Sequence, residues 1–131
     1  MRYLALIYTN EATDAAPGTP EADAQMAGYM AFGEEAGKAG AIEGGERLRP
    51  VADARTVRVR ESSTVVSDGP FAETREQLGG YYLVDARDLD EAIAIAARIP
   101  MARKGTVEVR PLIELPDLPG SGPALRERSG A

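Results

Sequence analysis

Apolar residues fill every position from Tyr3 to Tyr8, and Thr9-Asn10 closes the run. An unbroken run of this length predicts a central strand buried on both sides. The loop that follows, Glu11 to Gly18, is rich in small and polar residues. It is long enough to be a lid, and equally reads as a plain connection. Thr19-Pro20-Glu21 then marks a helix start: a hydroxyl cap, a proline at the first helical position, and an acid near the positive end of the dipole. The spacing predicts a helix to about Ala39, stopped by Gly40, with Met26, Tyr29, Met30 and Gly33 as its core stripe.

The second half repeats this rhythm with a hairpin added. Ile42 to Leu48 reads as a strand interrupted by Gly44-Gly45, the mark of a bulge or of a close backbone approach. Thr56 to Arg60 alternates, with Val57 and Val59 on one face and Arg58 and Arg60 among the residues of the other. Glu61-Ser62-Ser63 reads as a turn and Thr64 to Ser67 as the return strand. Gly80 to Asp85 is the next strand, with Tyr82 and Val84 on one face and Tyr81 and Leu83 on the other. Asp88 and Glu91 have the spacing of a capping box. The helix behind it carries Leu89, Ala92, Ile93, Ala96 and Ala97 on one stripe, flanked by Ile95 and Ile99, and Pro100 ends it. Thr106 to Arg110 alternates again.

The order β-α-β-β-β-β-α-β predicts an α+β fold, a ferredoxin-like sandwich. Two helices cover one face of an antiparallel sheet, and a short hairpin is extra. The domain spans residues 1–115; residues 116–131, rich in Pro, Gly and Ser, form a tail. The second sheet face, partly apolar through Tyr82 and Val84 or their neighbours, needs a cover. Trp is absent and Phe scarce, so the core is thin and aliphatic. Both points predict a homodimer.

Charge and composition then exclude several functions. A net charge of −6 without a Lys/Arg cluster argues against direct binding to nucleic acid or an anionic membrane. No apolar run is long enough to cross a bilayer, and no signal-peptide pattern opens the chain, so a cytoplasmic location is expected. Without Cys there are no disulfides or thiolates. Without His, acid–base chemistry falls to carboxylates or tyrosines with shifted pKa values, or to a bound cofactor, of which nothing in the sequence gives a sign.

Most of the chemistry-bearing residues sit between Asp68 and Tyr82. Asp68-Gly69-Pro70-Phe71 is either a rigid turn anchored by Phe71 or a stiff mount for a carboxylate at a cleft edge. Glu73, Arg75 and Glu76 are either a solvated loop, braced by Thr74 and Gln77, or a pocket cluster in which Arg75 receives a substrate carboxylate. Tyr82 offers a phenol over the same cleft, or simply covers the sheet. Glu43, Glu46 and Arg47 read as bulge surface. Asp68, Glu73 and Glu76 carry hard oxygen donors, but their spacing fits no metal loop, and no metal is expected.

Gly44-Gly45-Glu46-Arg47-Leu48, Asp68-Gly69-Pro70-Phe71-Ala72-Glu73-Thr74 and Glu76-Gln77-Leu78-Gly79-Gly80-Tyr81-Tyr82 resemble the YCII-related proteins of the DGPF type. So do Thr56-Val57-Arg58, Asp90-Glu91-Ala92, Ile99-Pro100 and Glu108-Val109-Arg110-Pro111; the resemblance spans roughly residues 1 to 113. It implies a dimeric α/β-barrel version of the ferredoxin-like fold. It also implies a branch that is mostly uncharacterised and is often encoded beside extracytoplasmic-function sigma factors. In the wider group a His–Asp pair is proposed for isomerase- or dehalogenase-like chemistry. Asp68 matches the Asp of that pair, and this chain has no His to complete it.

Two expectations follow. One is a homodimer binding a small polar or anionic metabolite beside the Asp68 loop, through Asp68, Arg75, Glu73, Glu76 and Tyr82. Lyase- or isomerase-like chemistry there would proceed without His, with Asp68 as its catalytic group. The other is a non-enzymatic regulatory protein acting with a sigma factor.

Overall fold

The computed structural model of the chain describes residues 1–114. Its elements are β1 (Arg2–Thr9), α1 (Pro20–Lys38), β2 (Ile42–Arg47), β3 (Arg55–Arg60), β4 (Ser63–Asp68), β5 (Gln77–Asp85), α2 (Leu89–Ala97) and β6 (Thr106–Pro111). Four strands form one sheet in the order β2-β5-β1-β6, with antiparallel neighbours throughout. α1 carries the chain from β1 past β5 to β2, and α2 carries it from β5 past β1 to β6. These interleaved crossovers are the split βαβ arrangement, so the fold is ferredoxin-like. β3 and β4 pair only with each other, as a separate hairpin. The tail expected at residues 116–131 lies outside the described residues.

The capping signals act as their residue types require. The Thr19 hydroxyl accepts the Ala22 N–H at 3.2 Å, and Gly40 turns the chain out of α1 at φ 71°. Asp88 accepts the Glu91 N–H at 2.9 Å, while Glu91 reaches one residue further back than a capping box does, to the Arg87 N–H at 3.2 Å. β5 begins three residues earlier than the glycine pair suggested, at Gln77.

The core lies between the helices and one face of the sheet. Tyr3, Ala5 and Ile7 of β1 and Val84 of β5 meet Phe32 and Ala36 of α1 and Ala92, Ile95, Ala96 and Ile99 of the α2 region. Both helical stripes are therefore rotated from those the spacing suggested. Met26 and Met30 are exposed, and Phe32 is buried in their stead; Leu89 and Ile93 are exposed, while Ile95 and Ile99 are buried. β1 is central, yet only its helix-facing residues are fully buried; Leu4, Leu6 and Tyr8 alternate with them and are half-buried.

The face without helices is also corrected. Cross-strand pairing puts Tyr82 beside Ala5 and Val84 beside Tyr3, on the helix side. Leu4 with Leu83, Leu6 with Tyr81, and Tyr8 with Leu78 make up the uncovered side. On the hairpin, Val57 pairs with Val66 and Val59 with Thr64. The valines share one face, as the alternation requires, and Val57, Val59 and Val66 are all exposed.

Candidate functional site

A cavity of about 610 Å³ opens on the helix side, at the end of the sheet where α1 begins. Its floor is Ile7 and Met101, its roof is Met26 and Tyr29 of α1, and Tyr82 and Arg47 stand on β5 and β2. The segment from Glu11 to Gly18 closes one side. This size suits a small molecule, and the mostly apolar wall with a few polar groups is typical of binding sites.

The sequence permits this hollow at two places. Gly45 faces Tyr82 across the strand pair, and a Cβ there would lie 2.7 Å from both the Tyr82 ring and the Tyr81 carbonyl oxygen. Its absence lets the Tyr82 ring lie against β2. The Tyr82 ring in turn packs on Phe32, with centroids 5.2 Å apart and planes at 56°. Aromatic edge contact of this kind fixes the ring's position.

The Glu11–Gly18 segment is tied down rather than loose. The Glu11 N–H donates to Gln77 Oε1 at 2.9 Å, and the Glu11 carboxylate accepts the Val51 N–H at 3.2 Å. Asp14 accepts from Lys104 Nζ at 3.1 Å, and Lys104 also reaches Glu21 and Gln25 of α1, each at 3.4 Å. Partial burial would raise the Asp14 carboxyl, but the Lys104 ammonium and the Ala15 N–H outweigh it and hold the group below its usual range. Hydrogen bonding to Asp14 raises Lys104 correspondingly.

The two phenols keep their protons. Burial, then the neighbouring Tyr82 and Asp14, push Tyr29 up to about 12, against smaller opposing effects from the Met101 N–H and Arg47. Burial also raises Tyr82. Both are therefore hydrogen-bond donors near neutrality and not bases. An alkaline titration followed by phenolate absorbance should show a late step near pH 12 that Tyr29→Phe removes. The unfolded chain releases this proton near pH 10 and the folded chain holds it, so stability falls as pH rises from 10 towards 12.

Two of the five charged residues lining the cavity have partners for their side chains within the chain. Asp14 has Lys104, and Glu11 has the Val51 N–H. Arg47 is the one cation lining the hollow, and among the described residues no carboxylate pairs with it. From the sequence Arg47 reads as bulge surface, and the structure instead places it at the cavity. Its register opposite Gly80 puts it on the same side of the sheet as Tyr82, at the cavity. The signal available was the glycine pair beside it.

Of the residues expected to form the site, only Tyr82 lines this cavity. Asp68 ends β4 with a side chain 92% exposed, paired with Arg55 at 3.2 Å. Phe71 is 80% exposed, so it does not anchor the turn in the core. Glu73 and Arg75 lie on the exposed loop between β4 and β5. Glu76 accepts the Thr106 hydroxyl at 2.6 Å and ties that loop to β6. Thr74 and Gln77 brace the loop by bonds to the Glu76 and Thr74 carbonyls, without a helical turn. No group of three or more Asp and Glu side chains among the described residues is arranged to hold a metal ion. No helix among them is long and apolar enough to cross a membrane.

Comparison with known proteins bears on this architecture directly. The YCII-related domain matches residues 1–116. The chain belongs to that family. A relative described as an uncharacterized protein, R00369 of Rhizobium meliloti (strain 1021), is 41% identical over 117 residues, covering 86% of this chain and 92% of its own. A solved structure is also similar: 5-chloro-2-hydroxyhydroquinone dehydrochlorinase (TftG) from Burkholderia phenoliruptrix AC1100, in complex with 2,5-dihydroxybenzoquinone. That match covers 87% of this chain and 95% of the other, at 14% identity and a TM-score of 0.47.

Proposed function

We propose that this YCII-related protein binds a small molecule carrying an anionic group, in the cavity between α1 and the β2-β5-β1 end of the sheet. Arg47 is the observation that carries this reading: a guanidinium lining the hollow that no carboxylate among the described residues pairs with. Guanidinium receives a carboxylate through two parallel hydrogen bonds, which gives direction as well as attraction. The Tyr29 and Tyr82 hydroxyls, both protonated, add donors, and Ile7, Met26 and Met101 take the apolar body.

Two copies meeting through the face of Leu4, Leu6, Tyr81 and Leu83 complete the proposal, since those side chains need a cover. Asp68, Glu73 and Arg75 do not line their own subunit's cavity, and they join this site only if a second subunit brings its loop to the mouth. Lyase- or isomerase-like chemistry would need a free carboxylate as base; Asp14 is engaged by Lys104, which leaves Asp23 and Glu46 as the carboxylates of the lining without a bonded partner among the described residues.

The test is thermal denaturation with a panel of small carboxylic acids. A ligand raises the apparent stability of wild type by mass action. Arg47→Ala should abolish that rise while leaving unliganded stability nearly unchanged, because among the described residues its side chain makes no hydrogen bond or ion pair. A charge-assisted hydrogen bond contributes ~1.5–3 kcal/mol, a loss of ~10- to 100-fold in affinity or more. Equal shifts in wild type and variant would defeat the proposal.

The hairpin favours a second reading, a regulatory protein acting with an extracytoplasmic-function sigma factor. Val57, Val59, Val66 and Phe71 leave an apolar surface unmet by the other described residues. Co-purification with such a factor, lost on Val57→Lys, supports it; a homodimer that covers the hairpin removes its motive.

A further inference from the structure

We propose that the segment from Glu11 to Gly18 is the door of the cavity and that the Asp14–Lys104 ion pair is its latch. The proposal concerns entry to the hollow taken above as a binding site. Its test uses no ligand, so the two can fail separately.

The floor of the hollow is covered as it stands. Ile7 and Met101 line it, yet they are only 7% and 3% exposed. A ligand that is to rest on them must displace something. The surrounding walls differ in what fixes them. Tyr82 and Arg47 stand on strands held by ladder hydrogen bonds. α1 is seated on the sheet through Phe32 and Ala36, both buried. From Glu11 to Gly18 no residue is buried, so no apolar core holds that wall. A segment held by polar contacts alone opens at lower cost than elements packed on a core.

Its fastenings are few and fall at separate places. At its start the Glu11 N–H donates to Gln77, and the Glu11 carboxylate accepts the Val51 N–H. Ala12 and Thr13 fold back by N–H bonds to Asn10 and so grip no other element. Beyond them it is Asp14 that reaches across. Its Oδ1 accepts Lys104 Nζ at 3.1 Å, and Gln25 of α1 is a further donor to the carboxylate. Lys104 also reaches Glu21 and Gln25, so one ammonium joins the segment, the start of α1 and the turn before β6. The Ala15 N–H donates to the same Oδ1 at 2.8 Å and therefore reports on the latch. Glu11 is the hinge end and Asp14 the end that lets go.

Amide exchange by NMR on the full chain reads the latch. In Lys104→Met, exchange at Ala15 should quicken about fivefold, the worth of roughly one partly exposed ion pair, while Glu11 keeps its rate. Lys104→Arg retains a donor for Asp14 and should stay nearer wild type. Lys38→Met breaks an exposed pair on α1 and should leave the segment unchanged. A single thiol reads the door. The chain has no Cys, so Ile7→Cys puts one thiol on the cavity floor, with Met101→Cys as a second floor position. Ile95→Cys is the control, equally buried but in the core away from the hollow. Iodoacetamide should alkylate the floor thiol faster, by a similar factor, once Lys104→Met is added, with the control unchanged. Unchanged exchange at Ala15 would mean that Lys104 does not hold the segment. Faster exchange without faster alkylation would mean that the wall moves but is not the way in. Equal acceleration of the control would trace the effect to global unfolding. Any of these three results overturns the proposal.

Discussion

Phe32→Ala should lower stability by ~3–5 kcal/mol, the usual cost of deleting a buried aromatic ring. Phe32 is 5% exposed and sits where α1 crosses the sheet. Its ring also holds Tyr82, 5.2 Å away, and Tyr82 is a wall of the cavity. The substitution therefore acts twice: it opens a void in the core and frees a binding surface to swing. Urea denaturation should show a much lower midpoint, and any ligand found for the cavity should bind more weakly even where the variant remains folded. Phe32→Leu keeps most of the volume and should cost much less on both counts. A midpoint unchanged in Phe32→Ala would mean that α1 is not seated on the sheet as described.

The second large effect is expected from a single methyl group. Gly105 precedes β6, and a Cβ at that position would lie 2.2 Å from the carbonyl oxygen of Tyr8. It would also lie 3.1 Å from the Met101 side chain. Met101 is flexible and can move aside; the Tyr8 carbonyl belongs to the central strand and cannot. Gly105→Ala must therefore part β6 from β1 at this end. Overpacking typically costs ~1–3 kcal/mol, and a backbone obstacle puts this case at the upper end or beyond. Gly44→Ala is the control. It meets nothing within 4 Å, and its φ is not positive, so its denaturation midpoint should stay close to wild type.

These two positions also show how far sequence reading reached. Signals confined to neighbouring residues were legible. Thr19-Pro20 opens α1, Asp88 opens α2, and the alternation from Thr56 to Arg60 puts the valines on one face. From such pieces the order of elements, and with it the fold, could be read. Which side of a helix faces inward was not legible in the same way. Both helices are rich in alanine, so two adjacent stripes satisfy a 3.6-residue period, and only the position of the sheet selects Phe32 over Met30 or Ile95 over Ile93.

The site was less legible than the fold, because its parts come from distant segments. Arg47, Tyr29, Asp14 and Lys104 share no local motif, and the hollow exists only once α1 and the Glu11–Gly18 segment lie over the sheet. The Asp68 stretch stands out in the sequence by its density of polar residues. The structure gives those residues turn-making and loop-bracing contacts instead: Gly69 at φ 84°, Asp68 with Arg55, Glu76 with Thr106. A concentration of charged side chains marks solvent exposure as readily as a ligand.

The hairpin is an excursion between two strands that are already neighbours. The chain leaves the four-stranded sheet at Arg47 and rejoins it at Gln77 beside the strand it left. Nothing in the sheet's order depends on what happens in between. The interval behaves as a socket: ribbons of different length or character can be fitted into it while the scaffold keeps its pairing, so related chains are free to diverge in what they grip without relearning how to fold.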